Sequence, residues 1–347
     1  MGFISSVGHA LSTAAQGASD TIVLGPMGPV YRKQLESEQE ELTTLIGQYS
    51  HLNKLVTSYE DPINNVGKYT STLLHHSSDY VHGIAVNYDA ILSAGTYENA
   101  NIQRLADSNV IKPLIDLPIP GTMGGIPSAL IPGVEALKIV TGLINMFGSS
   151  ATLPAQIAKA RHHIDEAHRY IAHEQDTLTS LKSVGSYLIQ VDNQLLGLFQ
   201  QTCGVEMPQL SASSSDTLAH AAKSFPDLIA KVESLKGNAF RTVRFIQNVI
   251  SAKKIKTFDD AQKAFIVSAL MNDGKIAAAF GKPDSLRHFV DQFLDGTLLS
   301  KGLLTLPPVP NRIKGFLNEG SAAKQAYSDP NSSAFDPPDT SLNGFPT

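Results

Sequence analysis

The chain has 347 residues, of which 42% are hydrophobic and only 17% are charged, with a formal net charge of −5 and a pI near 6.1. This length and composition suffice for a hydrophobic core and exclude a disordered chain. The acidic balance and the lack of a concentrated basic face argue against nucleic-acid binding, which needs lysine and arginine side chains to displace counterions. We therefore predict no nucleic-acid partner.

Cys203 is the only cysteine, so an internal disulfide and a cysteine-based zinc site are excluded. Its neighbours Thr202 and Gly204 match no nucleophile signature, and we interpret Cys203 as a half-buried structural residue. The N-terminus lacks the basic and apolar regions of a secretory signal, so we expect no signal peptide and assign no location. Release to act at a target-cell membrane is one hypothesis. Met1–Ser6 fits the minimal myristoylation pattern, with Gly2 as the acceptor.

Apolar residues seven apart predict an all-α protein, an elongated bundle of long heptad-patterned helices. The first row begins at Leu35 and Leu42 and marks helical sequence within residues 31–108. Asp61-Pro62 is expected to end or kink this helix, because proline lacks the N–H donor and clashes with the preceding turn.

A second long helix is predicted over residues 155–201, and shorter helices follow it. One lies near residues 226–252. The next opens with a capping box of Thr257 and Asp260 and ends at residues 273–274. The apolar faces of this helix and of a last one are assigned to the large apolar residues of the two segments: Phe265, Ile266, Leu270, Leu286, Phe289, Val290, Phe293 and Leu294.

These elements divide the chain into five segments. The last is rich in serine, proline, aspartate and asparagine, which is typical of a flexible or extended tail. The predicted segments are an N-terminal amphipathic arm and loop at 1–30, long helices at 31–108, an apolar hairpin or head segment at 109–150, a long helix with C-terminal helices at 151–315, and the tail at 316–347.

The apolar segment is the most unusual part of the sequence. No charged residue lies between Asp116 and Glu135, and prolines and glycines forbid a stable helix there. We predict an irregular hairpin, with any strand of the chain near residues 117–133, and then a short amphipathic helix. Such an apolar run has to be covered, either against the bundle or a subunit, or by delivery to a lipid bilayer. The second hypothesis assigns membrane insertion to Leu117, Ile119, Ile126, Leu130, Ile131, Val134, Leu137, Val140, Leu143, Ile144 and Phe147.

The sequence contains none of the short motifs that cradle nucleotides, activate a serine or hold zinc on a helix. We therefore predict no enzyme activity, no cofactor and no small-molecule substrate. His162 and Glu166 share one helical face, as two metal ligands would, but we interpret them and their neighbours His163 and His168 as solvated, and we assign no metal. If the protein converts on a trigger, such histidines offer a sensor of acidification. The same interpretation applies to a second cluster, His75, His76 and His82.

The order of the predicted elements carries a resemblance. A long heptad helix, an apolar glycine-containing hairpin, a second long helix rich in spaced leucines and shorter helices resemble the α-helical pore-forming toxins of the cytolysin A and haemolysin BL type. The stretch from Ile164 through Leu196 is similar to the helix after the hairpin in that group. The resemblance implies a monomer that converts, oligomerises into a ring and inserts its hairpin, in some members with companion subunits. The corresponding pieces are 31–107, 111–148, 155–201 and 216–296.

The favoured prediction is a membrane-active, oligomerising pore-forming protein, or one component of a multi-part cytolysin, that inserts its apolar hairpin into a bilayer. Its partners would be a lipid membrane, further copies of itself and companion subunits. One alternative is a structural or membrane-penetration protein of a virus or phage particle, suggested by the Gly2 arm and the tail. The other is a soluble helical scaffold that binds partner helices.

Overall fold

The computed structural model describes residues 28–93, 152–298 and 306–311. Over these ranges the protein is all-α, as predicted, and contains no strand. The eleven residues assigned to membrane insertion, from Leu117 to Phe147, lie outside the described residues, as do the predicted strand region, the Gly2 arm and the polar tail. The helices are α1 Gly28–Ser93, α2 Leu153–Cys203, α3 Ser215–Lys253, α4 Asp260–Met271, α5 Gly274–Phe280 and α6 Pro283–Leu294.

The chain divides into two compact units, and both long helices contribute to each of them. The division therefore cuts through the predicted segments 31–108 and 151–315. The described residues of the first unit are 28–60 and 152–182, and those of the second are 61–93, 183–298 and 306–311.

In the first unit, α1 and α2 run in the same direction. Arg161 Nε donates to Glu38 Oε1 at 2.8 Å, and further along both helices the Tyr49 hydroxyl donates to Glu174 Oε1 at 3.2 Å. Because the partner numbers rise together, the two helices are parallel. Apolar side chains three, four and seven apart place one face of each helix against the other, and covering each large one contributes about 1.5–3 kcal/mol. The shared core comprises Leu35, Leu42, Leu45, Leu153, Ile157, Ala160, Ile164, Ala167 and Ile171.

The same direction holds for α1 and α2 in the second unit. Thr70 donates to Asp192 Oδ2 at 3.0 Å, and ten residues later along both helices Tyr80 donates to Thr202 at 2.9 Å. The ring of Tyr80 also packs on Phe199, with centroids 4.9 Å apart. Large, fully buried aromatic side chains therefore fill the space between the two helices.

The third helix is parallel to α1 as well. The Tyr69 ring stacks on Phe225 near the start of α3, with centroids 5.2 Å apart. Further along both helices, Gln247 Nε2 donates to the carbonyl oxygen of Asn87 at 3.0 Å. The second unit therefore contains three long helical segments that point the same way.

Residues 204–214 form a strap that returns along α2 and allows α3 to start beside it. Gly204 ends α2 with φ of +64°, a left-handed conformation that glycine adopts without a Cβ penalty. The Asn193 side chain then accepts a hydrogen bond from the Leu210 N–H at 2.9 Å and donates to the Leu210 carbonyl at 3.1 Å. An extended chain advances about 3.3 Å per residue and a helix about 1.5 Å, so this strap is long enough to retrace about six helical turns.

The three short helices close the end of the second unit where α2 stops. The Ser285 hydroxyl on α6 donates to the Gly204 carbonyl at 2.8 Å, and the Phe293 ring stacks on Tyr88 of α1 with centroids 4.4 Å apart. The Tyr88 hydroxyl also donates to the Phe293 carbonyl. The apolar face of α6 is buried as predicted, at Leu286, Phe289, Val290, Phe293 and Leu294.

Of the two outcomes expected at Asp61-Pro62, an end of the helix or a kink, the end is wrong, because α1 continues through Pro62. Proline removes one backbone hydrogen bond and crowds the preceding turn. Tyr59 and Ile63 on either side are buried, so the core contacts of this helical face outweigh that local cost. A similar case is α3, which was expected near residue 226 and starts at Ser215, with Pro226 inside the helix.

The capping box of α4 differs from the predicted pair of Thr257 and Asp260. Asp259 is the N-cap, where its side chain accepts a hydrogen bond from the Gln262 N–H at 2.7 Å. The Gln262 side chain accepts one in return from the Asp259 N–H at 3.1 Å. Aspartate has the same capping function as serine or threonine, and glutamine completes the box.

Two further expectations about the C-terminal helices are wrong. Phe265, assigned to the apolar face of α4, is 62% exposed, and Val267 is buried beside Ile266 and Leu270 instead. Asp273 does not merely end a helix: its side chain caps the N-terminus of α5, which the sequence analysis omitted.

We predict that Asn193→Ala lowers the free energy of unfolding by about 2 kcal/mol, since it removes two hydrogen bonds to the strap. Urea unfolding followed by circular dichroism measures this change. The control is Gln209→Ala, an exposed position on the same strap that should change stability by less than about 0.5 kcal/mol. Equal effects of the two substitutions would show that Asn193 does not hold the strap.

Candidate functional site: buried carboxyl groups between α1 and α2

Two carboxyl side chains lie inside the mostly apolar contact between α1 and α2. Glu174 and Asp192 are both 0% exposed, and each unit contains one of them. Both occupy the apolar stripe of α2: Glu174 follows Ile171 by three residues, and Asp192 precedes Leu195 by three. A buried carboxylate without full compensation is costly, so this arrangement calls for a functional explanation.

In the first unit, Glu174 faces two polar side chains of α1. Its Oε1 atom lies 3.2 Å from the Tyr49 hydroxyl and 3.5 Å from Asn53 Nδ2. Its Oε2 atom has no hydrogen-bond partner among the described residues. Burial raises the pKa of Glu174, and the two hydrogen bonds offset only part of this effect. Burial and the nearby carboxylate also raise the pKa of Tyr49 to about 12.

In the second unit, a single side chain among the described residues donates a hydrogen bond to Asp192. Thr70 donates to its Oδ2 atom at 3.0 Å, and no described residue reaches its Oδ1 atom. Burial raises the pKa of Asp192 well above the ordinary carboxyl value, because one hydroxyl cannot replace the hydration of a charge. The fold therefore favours the neutral acid at both carboxyl groups.

A third buried polar cluster surrounds the single cysteine. The Tyr80 hydroxyl lies 2.9 Å from Thr202 Oγ1 and 3.8 Å from Cys203 Sγ. All three side chains are 0% exposed, so Cys203 is fully buried rather than half-buried. Burial raises the pKa of Cys203 to about 11, and the thiol therefore stays protonated at neutral pH. It lacks the thiolate character that a nucleophile needs.

The first histidine cluster contacts carboxylates on the surface of α2. His162 Nε2 lies 3.5 Å from Glu166 Oε1, and His163 Nδ1 lies 3.1 Å from Glu166 Oε2. His168 Nε2 lies 3.7 Å from Glu41 Oε1 on α1. Within residues 28–93, 152–298 and 306–311, no three histidine, cysteine or acidic side chains are arranged to hold a metal ion.

The second histidine cluster contains a lysine. The Lys236 ammonium lies 3.0 Å from His76 Nδ1 and 3.1 Å from Asp79 Oδ2. Burial and the positive charge of Lys236 lower the pKa of His76, so this imidazole favours its neutral form in the fold. His75 Nε2 lies 3.6 Å from the same Asp79 carboxylate.

No protein family, curated protein or solved structure matches this chain. In the part of the chain that the structure describes, no helix is both long and apolar enough to cross a lipid bilayer.

The sequence analysis assigned no role to Glu174 or Asp192, although a signal for both was present. Each lies within four residues of two apolar positions on the same face of α2, namely Ile171 and Leu178, or Leu188 and Leu195. A helix repeats every 3.6 residues, so side chains at this spacing point to the core with their neighbours. Helical position therefore indicates that both carboxyl groups are buried.

We predict that the two buried carboxyls make the fold less stable as pH rises. Their pKa values are raised in the folded state, so their contribution to stability is fully present below the ordinary carboxyl pKa and is lost as pH rises through the folded values. The double variant Glu174→Gln, Asp192→Asn keeps an acceptor at each position and should lose this dependence. A difference of one in pKa corresponds to about 1.4 kcal/mol.

Urea unfolding at about pH 5 and about pH 8 tests this prediction, with each variant compared to the wild type over the range where carboxyls titrate. Asp165→Asn is the control, since Asp165 is an exposed carboxyl on the same helix. A double variant with the same pH dependence as the wild type would contradict the assigned role of the two buried groups.

We also predict that Cys203 is unreactive in the folded protein. Ellman's reagent at neutral pH should modify it only after denaturant is added, because the thiol is buried and protonated. Rapid modification of the native protein, with an unchanged circular dichroism spectrum, would show that Cys203 is accessible.

Proposed function

We propose that this protein acts on lipid membranes, delivers its apolar segment 109–150 to a bilayer and self-assembles into a pore, alone or with companion subunits. One observation carries the proposal. Between Asp116 and Lys159 only Glu135 and Lys138 are charged, and this stretch joins the two long helices. A segment this poor in charge is suited to hydrocarbon, where each charge costs about 2.5–3.5 kcal/mol.

The surface of the described helices supports separate roles for these helices and for the apolar segment. Their large apolar side chains are mostly buried, and the exposed ones are Val30, Val86 and Phe265, which are scattered singly. Isolated apolar residues of this kind are ordinary on a protein surface. The proposed membrane-active element is therefore the apolar segment, while the described helices provide the folded support.

The buried carboxyls support the conversion step. Delivery of a hidden segment requires a fold that can rearrange, and a contact made only of apolar side chains resists rearrangement. Glu174 and Asp192 each leave one oxygen atom without a partner among the described residues. A buried polar group without full hydrogen bonding is costly, so these two side chains make the contact between α1 and α2 weaker than an apolar one. We also propose that the helices form an elongated, heptad-patterned bundle, which supports the apolar segment and presents it to the membrane.

The proposal includes no catalytic step and no cofactor. Cys203, the one thiol of the chain, is buried and held protonated. In the two histidine clusters, His75, His162, His163 and His168 contact carboxylates and His76 contacts Lys236. None of these arrangements places a nucleophile beside a base.

We predict that Ile126→Asp and Leu130→Asp each abolish dye release from liposomes while leaving the unfolding temperature unchanged. A charge in the hydrocarbon opposes insertion by about 2.5–3.5 kcal/mol, and an oligomer multiplies that cost by its number of subunits. Dye release and thermal unfolding are measured on the same preparations, at neutral pH and after acidification.

The matched control is Val86→Asp, which places the same charge at a 50% exposed valine of α1 and should leave dye release intact. Wild-type protein that releases no dye, alone, with candidate companion subunits or after acidification, would overturn the proposal. Equal loss of stability and dye release in the two apolar-segment variants would assign this segment to the core instead.

A further inference from the structure

The surface of α2 in the first unit carries a straight row of titratable side chains. Lys159, His162, Glu166, Arg169 and His173 are spaced by three, four, three and four residues, so they share one helical face. At a rise of about 1.5 Å per residue, the row extends over about 21 Å. We call these five residues the α2 stripe.

The stripe faces away from the core. Lys159, His162, Arg169 and His173 are exposed, whereas the core of this helix lies on the opposite side, at positions such as Ile164. The His162 side chain is 71% exposed. Its position leaves the stripe available to a partner, and no large apolar residue interrupts it.

The carboxylates near the stripe are few. Glu166 lies within it and contacts both His162 and His163, and Asp165 is exposed one residue away. Glu174 follows His173 but is buried, and Asp176 is exposed one turn beyond the stripe's end.

The facing carboxylates of α1 lie at the flank of the stripe. Glu38 pairs with Arg161 at 2.8 Å, and Glu41 lies 3.7 Å from His168. These α1 carboxylates are therefore engaged with residues beside the stripe rather than with its members. Lys159 and Arg169 are permanent cations, and imidazole side chains in general gain a positive charge between neutral pH and about pH 5.

We propose that the α2 stripe is a docking surface for anionic lipid headgroups and that acidification switches this docking on. The inference rests on the proposed membrane function and names the lipid chemistry and the trigger. Two observations select a lipid surface. The straight row places the cations Lys159 and Arg169 and two imidazoles along one line, which matches a flat anionic plane, and the stripe begins at Lys159, the first charged residue after the uncharged run 139–158. Basic residues placed directly beside a membrane-entering segment bind the anionic leaflet.

The stripe contains the cations Lys159 and Arg169, the carboxylate Glu166 and the imidazoles of His162 and His173, with His163 at its edge. Imidazole side chains in general gain positive charge in acid, so acidification makes a row of this composition more cationic. Each cation near an anionic surface tightens binding several-fold, so we expect at least about 10-fold tighter association at about pH 5 than at neutral pH. Raised salt should weaken the acid-dependent part by screening.

The test is co-sedimentation of the full chain with phosphatidylcholine vesicles, with and without phosphatidylserine, at about pH 5 and at neutral pH. Dye release is recorded on the same vesicles. The variant is His162→Gln, His163→Gln, His173→Gln, and the control is His51→Gln, His75→Gln, His220→Gln, three exposed histidines elsewhere. Circular dichroism checks that both triple variants are folded.

We expect acid-dependent binding only to vesicles with phosphatidylserine, lost in the stripe variant and kept in the control. Binding that ignores pH or phosphatidylserine, or equal loss in both triple variants, would overturn the inference. Dye release that persists in the stripe variant under all conditions would overturn it while leaving the pore proposal intact. Acid-dependent binding without dye release would support the stripe and count against the pore.

Discussion

The parallel direction of α1, α2 and α3 is the constraint on which the other features depend. Two parallel helices cannot be joined by a short turn, because the chain has to return before the second helix starts. Between α2 and α3 the return is the strap of residues 204–214, held by the Asn193 side chain. In the second unit, α6 packs where α2 stops. Its residues Ser285 and Phe293 complete the core at this end, where α2 no longer contributes side chains. The positions of the strap, of the short helices and of the polar groups between α1 and α2 all depend on this parallel arrangement.

Acidification has two opposite consequences for this molecule. The buried carboxyls of Glu174 and Asp192 make the contact between α1 and α2 more favourable as pH falls, because each is best accommodated as a neutral acid. His76 works in the other direction, since its lowered pKa means that the fold disfavours its charged form.

Much of the fold could be predicted from the sequence. The predictions that failed did so for physical reasons. The spacing of residues such as Leu35 and Ile157 predicted long helices, since a 3.6-residue repeat leaves a clear apolar stripe. The same stripe contains no information about direction, because a heptad pattern packs parallel or antiparallel. Pro62 was expected to end or kink α1, and the helix does not end there, because buried neighbours determine whether a helix tolerates proline. At the candidate site, the burial of the two carboxyls could be predicted from their helical positions. Their partners on α1 could not, because these depend on the register of the two helices, which only the structure shows.

The register of α1 and α2 also determines the order of events when the chain is made. Hydrogen bonds between the two helices join residues 121 to 125 apart in sequence, from Asn53 with Glu174 to Tyr49 with the same carboxyl. At about 5–20 residues per second, a ribosome needs on the order of 6–25 s to add the α2 partner of a given α1 residue. During that interval the apolar face of α1 is present without its partner. A helical protein with such distant contacts should fold slowly for its class, and newly made α1 is a natural target for a chaperone.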